Sequence, residues 1–257
     1  MKSQDRIRNV GVIAHVDHGK TTLVDSLFKQ AGVYRQNQAV AERALDRNDL
    51  ERERGITIFS KNAAVVWGDI KINIVDTPGH SDFGGEVQRI LKMVDGALLL
   101  VDAVDGPMPQ TKYVLKNALD IGLCPIVVIN KIDRHDARPA WVLDQVFDLF
   151  ASLGATDAQL DFTTVYASAK GGFAGREDTI REGDMSVLLD TIVEKVPPPS
   201  VEPDAPFQML VTSVEYSDYL GRMAVGKIVR GSVSAGQQVA RIDKEGNITE
   251  ARVTKLY

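Results

Sequence analysis

The N-terminal part of the chain alternates short apolar runs with amphipathic stretches. Five runs are aliphatic or β-branched and bounded by turn residues, at positions 9–14, 72–75, 97–101, 126–129 and 164–167. Continuous apolar runs of this length favour strands that are buried on both faces. The stretches between them have helical spacing, at positions 22–30, 83–93, 111–119, 140–153 and 186–193. The pattern predicts an α/β fold, a doubly wound and mostly parallel sheet with crossover helices.

One pair of apolar segments departs from this alternation. Residues 64–67 and 70–75 are separated only by Gly68 and Asp69. A two-residue Gly-Asp connection between two such segments is typical of a β-hairpin. We therefore expect one antiparallel strand at an edge of the sheet.

Proline marks the main boundary along the chain. Five of the ten prolines fall between Val196 and Phe207, and such a segment is extended and semi-rigid. We predict one unit over 1–196, a linker over 197–206 and a second unit over 207–257. In the second unit, glycines separate short alternating segments at 209–214, 223–229 and 251–256, which favours a small antiparallel β-barrel. The strands are too few to close a barrel, so we expect the chain to be the N-terminal part of a longer protein.

Composition narrows the class of protein. Of 257 residues, 44% are hydrophobic and 25% charged, which excludes a disordered or collagen-like chain. The net charge of -5 gives no global attraction to nucleic acid, so contact with RNA requires a local patch. A single cysteine excludes an intramolecular disulfide and a cysteine-rich zinc site. Because no segment has the character of a signal peptide or a membrane span, we expect a cytoplasmic protein without a membrane partner.

A phosphate-binding loop follows the first predicted strand. Residues 14–22 fit the pattern G-x-x-x-x-G-K-[ST], with Ala14 in place of the first glycine. The pattern places backbone N–H groups around phosphates at a helix N-terminus, with Lys20 on the β- and γ-phosphates and the Thr21 hydroxyl on Mg²⁺. A Gly-Lys-Thr or Gly-Lys-Ser triplet occurs by chance in about one chain in ten of this size. Its position between a strand and a helix is therefore what favours the phosphate loop.

A second polar segment, residues 76–80, follows the predicted strand at 70–75. Asp76 at the end of a strand can hold Mg²⁺, usually through a water molecule, and the backbone N–H of Gly79 can reach a γ-phosphate. Considered alone, the sequence Asp-Thr-Pro-Gly is an ordinary turn. The upstream phosphate loop is what favours the functional interpretation.

Two further segments have the chemistry to recognise guanine. Asp133, in the run Asn130-Lys131-Ile132-Asp133, can accept hydrogen bonds from the guanine N1–H and exocyclic amine, which adenine cannot supply. A backbone amide of Ser168-Ala169-Lys170 can contact the guanine O6. Each segment alone could be a polar turn. All four motifs, however, follow predicted strands, at the edge where open α/β sheets bind ligands.

Together with residues 54–58, these motifs resemble the five guanine-nucleotide motifs of the P-loop translational GTPases, and the resemblance covers essentially the whole chain. Within that superfamily the chain is most similar to the BipA/TypA family of ribosome-associated GTPases, through residues 48–57, 82–87 and 145–150. It resembles elongation factor G more weakly, because the large insertion in that factor's nucleotide domain has no room here. The resemblance implies a G domain followed by the start of a β-barrel domain.

The resemblance also implies a role for each motif residue. It implies that His80 positions the attacking water and that Thr57 contacts Mg²⁺ and the γ-phosphate only in the GTP state. The implied phosphate ligands are Asp17, His18, Gly19, Lys20, Thr21, Thr22 and Gly79. The implied guanine ligands are Asn130, Lys131, Ile132, Asp133, Ser168, Ala169 and Lys170. The implied Mg²⁺ ligands are Thr21, Thr57 and Asp76, the last through water.

The expected function is Mg²⁺-dependent hydrolysis of GTP to GDP, as a switch on the ribosome in its assembly or in stress-adapted translation. We expect a monomer that binds ribosomal RNA and proteins largely through domains outside this chain. No residue is placed as an arginine finger in cis, so turnover should be slow until the ribosome stimulates it. The alternatives are a nucleotide-gated ribosome-binding module with little hydrolysis and a factor of the elongation factor G type. An ATP-using P-loop kinase is opposed by Asp133.

Overall fold

The computed structural model describes residues 4–32, 61–76, 84–217 and 221–256. The chain forms two compact units, Met1–Pro199 and Ser200–Tyr257. The division falls inside the predicted linker, and the second part of that linker belongs to the second unit. There the N–H of Gly231 donates to the carbonyl oxygen of Glu202 over 2.8 Å.

A seven-stranded sheet forms the centre of the first unit. Its strands are β1 (Ile7–Ala14), β2 (Lys61–Trp67), β3 (Ile70–Asp76), β4 (Gly96–Asp102), β5 (Cys124–Asn130), β6 (Thr163–Ser168) and β7 (Phe173–Gly175). They lie in the order β2-β3-β1-β4-β5-β6-β7. The five strands from β3 to β6 in this order are parallel, while β2 and β7 are antiparallel to their neighbours. The predicted doubly wound, mostly parallel sheet is confirmed.

The helices of the first unit cover both faces of this sheet. They are α1 (Lys20–Gln30), α2 (Gly84–Leu91), α3 (Pro109–Asp120), α4 (Pro139–Ser152), α5 (Asp157–Leu160) and α6 (Ser186–Lys195), after a short 3-10 helix at Gln4–Arg6. The single-turn helix α5 was not predicted from periodicity. It depends on a local capping box, in which Thr156 and Gln159 satisfy each other's backbone N–H groups. None of the helices in the described ranges combines the length and apolar character needed to span a bilayer.

Two separate apolar cores explain why the strand sequences are continuously apolar. Leu98 and Leu100 of β4 pack in the core that also holds α1 and α6. Ala97, Leu99 and Val101 of the same strand pack in the core that holds α2, α3 and α4. Because both faces are covered, neither set of alternating positions can be polar.

The predicted hairpin is confirmed at one edge of the sheet. Trp67 of β2 stands opposite Ile70 of β3, and Gly68 in the turn has a φ of 55°. The opposite edge strand, β7, was not predicted. It has only three residues, which is too short for a two-residue period to be recognised.

The second unit consists of two antiparallel strand pairs. β8 (Gln208–Ser217) pairs with β9 (Gly221–Arg230), and β10 (Gln238–Ile242) pairs with β11 (Ile248–Arg252). This confirms the antiparallel β class of the unit. The strand predicted at 251–256 was placed wrongly, since β11 ends at Arg252. The turn decides the register: the Asp243 carboxylate accepts hydrogen bonds from the N–H groups of Glu245 and Asn247, so Ile248 pairs directly with Ile242.

The strand order identifies the edge where a ligand can bind. β1 lies between β3 and β4, and all three run parallel. After β1 the chain continues to β2 and β3 on one side of β1, and from β3 it crosses to β4 on the other side. Such a change of direction opens a crevice at the carboxyl ends of these strands. The loop between β1 and α1 lies at this point.

Candidate functional site

The loop between β1 and α1 has the backbone of an anion-binding turn. Asp17 and Gly19 have φ angles of 66° and 91°, in the left-handed region. Gly19 is the N-cap of α1 and supplies no side-chain hydrogen bond. A helix that begins without a side-chain cap directs N–H groups and the positive end of its dipole outward. This geometry suits a phosphate group.

Side-chain exposure in this loop separates two groups of residues. His18 and Lys20 are buried, Thr21 is half-buried, and Asp17 and Thr22 are exposed. The His18 Nδ1 lies 3.3 Å from the Leu100 carbonyl oxygen, so its imidazole faces the protein interior. His18 can therefore offer a phosphate only its backbone.

Gly19 is required by its surroundings as well as by its φ angle. A Cβ atom at this position would lie 2.6 Å from the Nδ2 of Asn130. That distance is shorter than any ordinary contact between a Cβ and a heavy atom. The phosphate loop and the predicted guanine motif are thus packed directly against each other.

The Asn130 side chain links three of the predicted motifs. Its Nδ2 donates to the His18 carbonyl oxygen over 2.8 Å, and its Oδ1 accepts from the Ala169 N–H over 2.9 Å. The residue is buried, with 1% of its surface exposed. Both halves of a buried amide are satisfied, so the bridge fixes the phosphate loop and the segment after β6 to the end of β5.

Residues after Asn130 divide between the core and the surface. Ile132 is buried in the second core, and its N–H donates to the Ala167 carbonyl oxygen over 3.3 Å. Its side chain anchors the motif and does not face a ligand. Asp133 is exposed, and within the described part of the chain its carboxylate makes no hydrogen bond or ion pair. It is therefore free to accept hydrogen bonds from a base.

Two polar groups of the predicted segment Ser168–Lys170 form hydrogen bonds within the protein. The buried Ser168 hydroxyl accepts from the Gly171 N–H over 3.0 Å, and the Ala169 N–H is bonded to Asn130. Lys170 is exposed. The backbone amide left for a base in this segment is that of Lys170.

One buried acidic residue of this edge, Asp102, was not predicted from the sequence. Asp102 ends β4 directly beside Asn130, which ends β5. Its Oδ2 lies 2.6 Å from the Nζ of Lys131, and its Oδ1 accepts from the Val104 N–H over 2.8 Å. Burial acts to raise the pKa of Asp102, but hydrogen bonds from Lys131 and Val104 outweigh it, so the pKa lies below its ordinary value. The signal that could have revealed Asp102 is an acid at the end of a predicted strand, as at Asp76.

His18 contributes a titratable group to the interior beneath the loop. Its ring centroid lies 5.2 Å from that of His15. Burial lowers the pKa of His18 below its ordinary value, and a hydrogen bond to the Leu100 carbonyl offsets part of this effect. The folded protein therefore holds His18 neutral at neutral pH.

This burial predicts a pH-dependent stability. Below the ordinary histidine pKa, the unfolded chain takes up a proton at His18 that the folded protein does not accept. The unfolded state then binds more protons, so the free energy of unfolding falls as pH falls below about 6.5. We expect the urea midpoint of the nucleotide-free protein to decrease between pH 7.5 and pH 5.5, and the decrease to be smaller in His18→Gln. The exposed His135 supplies the control: His135→Gln should keep the wild-type decrease, and equal behaviour of the two variants would contradict this role of burial.

The expected Mg²⁺ ligands are only partly within the described residues. Thr21 lies in the first turn of α1. Asp76 ends β3 in register with Val12 of β1, so its backbone is at the same sheet edge. Thr57, Gly79 and His80 lie outside the described residues. Among the described residues, no group of three or more carboxylate, imidazole or thiol side chains could hold a metal ion. Mg²⁺ beside phosphates needs few protein ligands, and one hydroxyl with one carboxylate is such a set.

Comparison with known proteins gives the family. Residues 5–198 match the elongation factor Tu GTP-binding domain. The chain belongs to this family. It is 56% identical over 252 residues to the large ribosomal subunit assembly factor BipA of Escherichia coli strain K12, and 58% identical over 250 residues to the protein of that name from a Synechocystis species. The alignments cover 98% and 97% of this chain and 42% of each relative. The BipA/TypA resemblance noted from the motifs is confirmed.

Two solved structures agree with the fold of this chain. A protein of Thermus thermophilus matches with a TM-score of 0.70 at 19% identity, over 97% of this chain and 48% of the other. The bacterial selenocysteine-specific elongation factor EF-Sec matches with a TM-score of 0.68 at 24% identity, over 94% of this chain and 37% of the other. At such identities the likeness shows the fold alone.

Proposed function

We propose that this chain is the GTP-binding and GTP-hydrolysing part of a ribosome-associated switch protein of the BipA type. The observation that carries the proposal is the Asn130 bridge, which joins the phosphate loop to both predicted guanine segments. The family match supports guanine nucleotide as the ligand. The relatives' name, large ribosomal subunit assembly factor, supports the ribosome as the partner and the cytoplasm as the location.

In the proposed nucleotide site, both backbone and side-chain groups contact the ligand. The start of α1 and Lys20 bind the phosphates, while Asp133 selects guanine through its free carboxylate. Thr21 and Asp76 are the residues that would hold Mg²⁺. When bound, the ion neutralises charge on the β- and γ-phosphates. Phosphoryl transfer needs mainly positioning and charge stabilisation, and the rigid Asn130 bridge supplies the positioning.

In this proposal His80 positions the attacking water, and Thr57 contacts Mg²⁺ and the γ-phosphate only in the GTP state. These assignments rest on the sequence motifs, because both residues lie outside the described ranges. The proposed domain arrangement is a GTP-binding domain over 1–196, a linker over 197–206 and the start of a β-barrel domain over 207–257. We propose that the protein acts as a monomer.

Single-turnover hydrolysis with purified ribosomes tests the catalytic part of the proposal. Ribosomes should accelerate GTP hydrolysis by the purified full-length protein. His80→Ala should lower the stimulated rate by about 100-fold or more, the scale of a lost water-positioning or transition-state group. GDP affinity should stay within twofold, because His80 contacts neither base nor loop in this scheme. His135→Ala is the control and should hydrolyse GTP as wild type does.

Two results would count against this scheme. A His80→Ala protein with the wild-type stimulated rate would remove His80 from the chemistry. Tight GTP binding with no ribosome-stimulated hydrolysis would leave a nucleotide-gated binding module instead of an enzyme.

A further inference from the structure

The ion pair between Asp102 and Lys131 joins the ends of β4 and β5, at the sheet edge that holds the proposed base site. Asp102 has no exposed side-chain surface, while 30% of the Lys131 side chain is exposed. The Nζ and Oδ2 atoms are 2.6 Å apart, and the second carboxylate oxygen is held by the Val104 N–H. A fully buried carboxylate with both oxygens engaged has a fixed position. The ammonium group of Lys131 is therefore held by a rigid partner.

The aliphatic part of Lys131 lies along the phosphate loop. Its Cε is 4.0 Å from the position a Cβ would occupy on Gly19. The residue has a φ of 65°, a left-handed conformation that is uncommon outside glycine. Such a backbone persists where its surroundings hold it. Asp102 at one end and Gly19 along the stem provide those surroundings.

Fixing this side chain in advance has a consequence for ligand affinity. A free lysine side chain has several rotatable bonds, and ordering them on binding costs free energy. Held by Asp102, the Lys131 side chain is already ordered before nucleotide arrives, and 30% of it remains exposed, two residues before the carboxylate of Asp133. The stem of a lysine is an apolar surface. A planar base can pack on such a surface while its edge bonds to the carboxylate.

We infer that Asp102 is a positioning residue that fixes Lys131 against the phosphate loop and thereby slows nucleotide release. The inference rests on the proposed guanine-nucleotide site. It assigns to Asp102 no contact with the nucleotide, because the carboxylate is fully buried and faces Lys131. Asp102 should therefore affect the rate constant of nucleotide dissociation, and it should do so only through Lys131.

The test measures release of a fluorescent GDP analogue by stopped flow, in Mg²⁺ buffer with excess unlabelled GDP. Asp102→Asn removes the charge and keeps the shape and the acceptor for Val104. We expect release to become about tenfold faster, with the association rate constant within twofold of wild type. Asp105→Asn, at an exposed acid in the same turn, is the matched control and should release the analogue within twofold of wild type.

A double-variant cycle separates positioning from a general loss of structure. Lys131→Gln alone should speed release, and adding Asp102→Asn to it should change the rate by less than twofold. If the two accelerations multiply, Asp102 acts independently of Lys131 and the inference is wrong. Should Asp102→Asn alone fail to fold, the uncharged double variant and Lys131→Gln still give this comparison.

The outcomes distinguish this inference from the proposed function. A wild-type protein that does not bind GDP defeats the proposed function. A wild-type protein that binds GDP, with Asp102→Asn releasing it no faster than Asp105→Asn, defeats only the role given to Asp102.

Discussion

Asp133→Asn is expected to reverse the base preference of the site from guanine to xanthine. Asp133 is exposed, and among the described residues it has no competing partner. Its carboxylate can accept from both guanine donors, whereas an asparagine amide faces the exocyclic amine with an N–H group of its own. Xanthine carries an oxygen at that position and restores the pairing. Because a polar base edge left unpaired in a site costs several kcal/mol, we expect GDP affinity to fall by about 100-fold or more.

Competition titration measures this reversal. Unlabelled GDP and xanthosine diphosphate displace a fluorescent GDP analogue from wild type, or a fluorescent xanthosine analogue from the variant. Asp136→Asn is the control, since Asp136 lies in the same loop but is paired with Arg134 over 2.8 Å. It should bind both nucleotides within threefold of wild type. Unchanged GDP affinity in Asp133→Asn would mean that the base binds elsewhere.

Gly19→Ala is expected to remove nearly all nucleotide affinity. The added methyl group would meet the Asn130 Nδ2 at 2.6 Å, and the backbone there has a φ of 91°. Relief of the clash requires Asn130 to move, which breaks its 2.8 Å hydrogen bond to the His18 carbonyl. The phosphate loop and the base segments then lose their common anchor. We expect the GDP dissociation constant to rise by about 100-fold or more, measured by the same titration, because both a buried hydrogen bond and the loop geometry are lost.

Gly32→Ala provides the matched control for this prediction. Gly32 also has a left-handed φ, of 69°, but no atom of the residues that the structure describes lies within 4 Å of the position of its Cβ. It shares the backbone strain of about 1 kcal/mol without the clash. Its GDP affinity should stay within threefold of wild type while its stability falls. If Gly19→Ala binds GDP as well as Gly32→Ala does, contact with Asn130 is not what the loop requires.

The sequence contained enough information for the sheet, because its strands are buried on both faces. The segments at 10–14, 97–101 and 126–129, in β1, β4 and β5, are apolar without interruption, and both cores require this. The loop between β1 and α1 was predictable for a local reason: Gly19 allows the left-handed backbone with which the helix begins. Asp76 was expected at the end of a strand, and it is the last residue of β3.

Other features depend on contacts between distant segments. Nothing in the sequence near Asp102 indicates that its partner is Lys131, because the two residues meet only when β4 and β5 pair. The involvement of Ala169 with Asn130 likewise arises from the junction of β5 and β6. The register of β11 was missed because the Asp243 turn, and not the apolar alternation, sets where that strand begins.

Direct titration of this 257-residue chain with GDP and with ADP tests the central claim, that the edge formed by β1, β4 and β5 is a guanine-nucleotide site. Calorimetry in Mg²⁺ buffer should show one GDP bound per chain, with ADP at least about 100-fold weaker, because adenine lacks the donors that Asp133 accepts. Equal affinity for GDP and ADP, or no binding of GDP by a folded protein, would contradict the account.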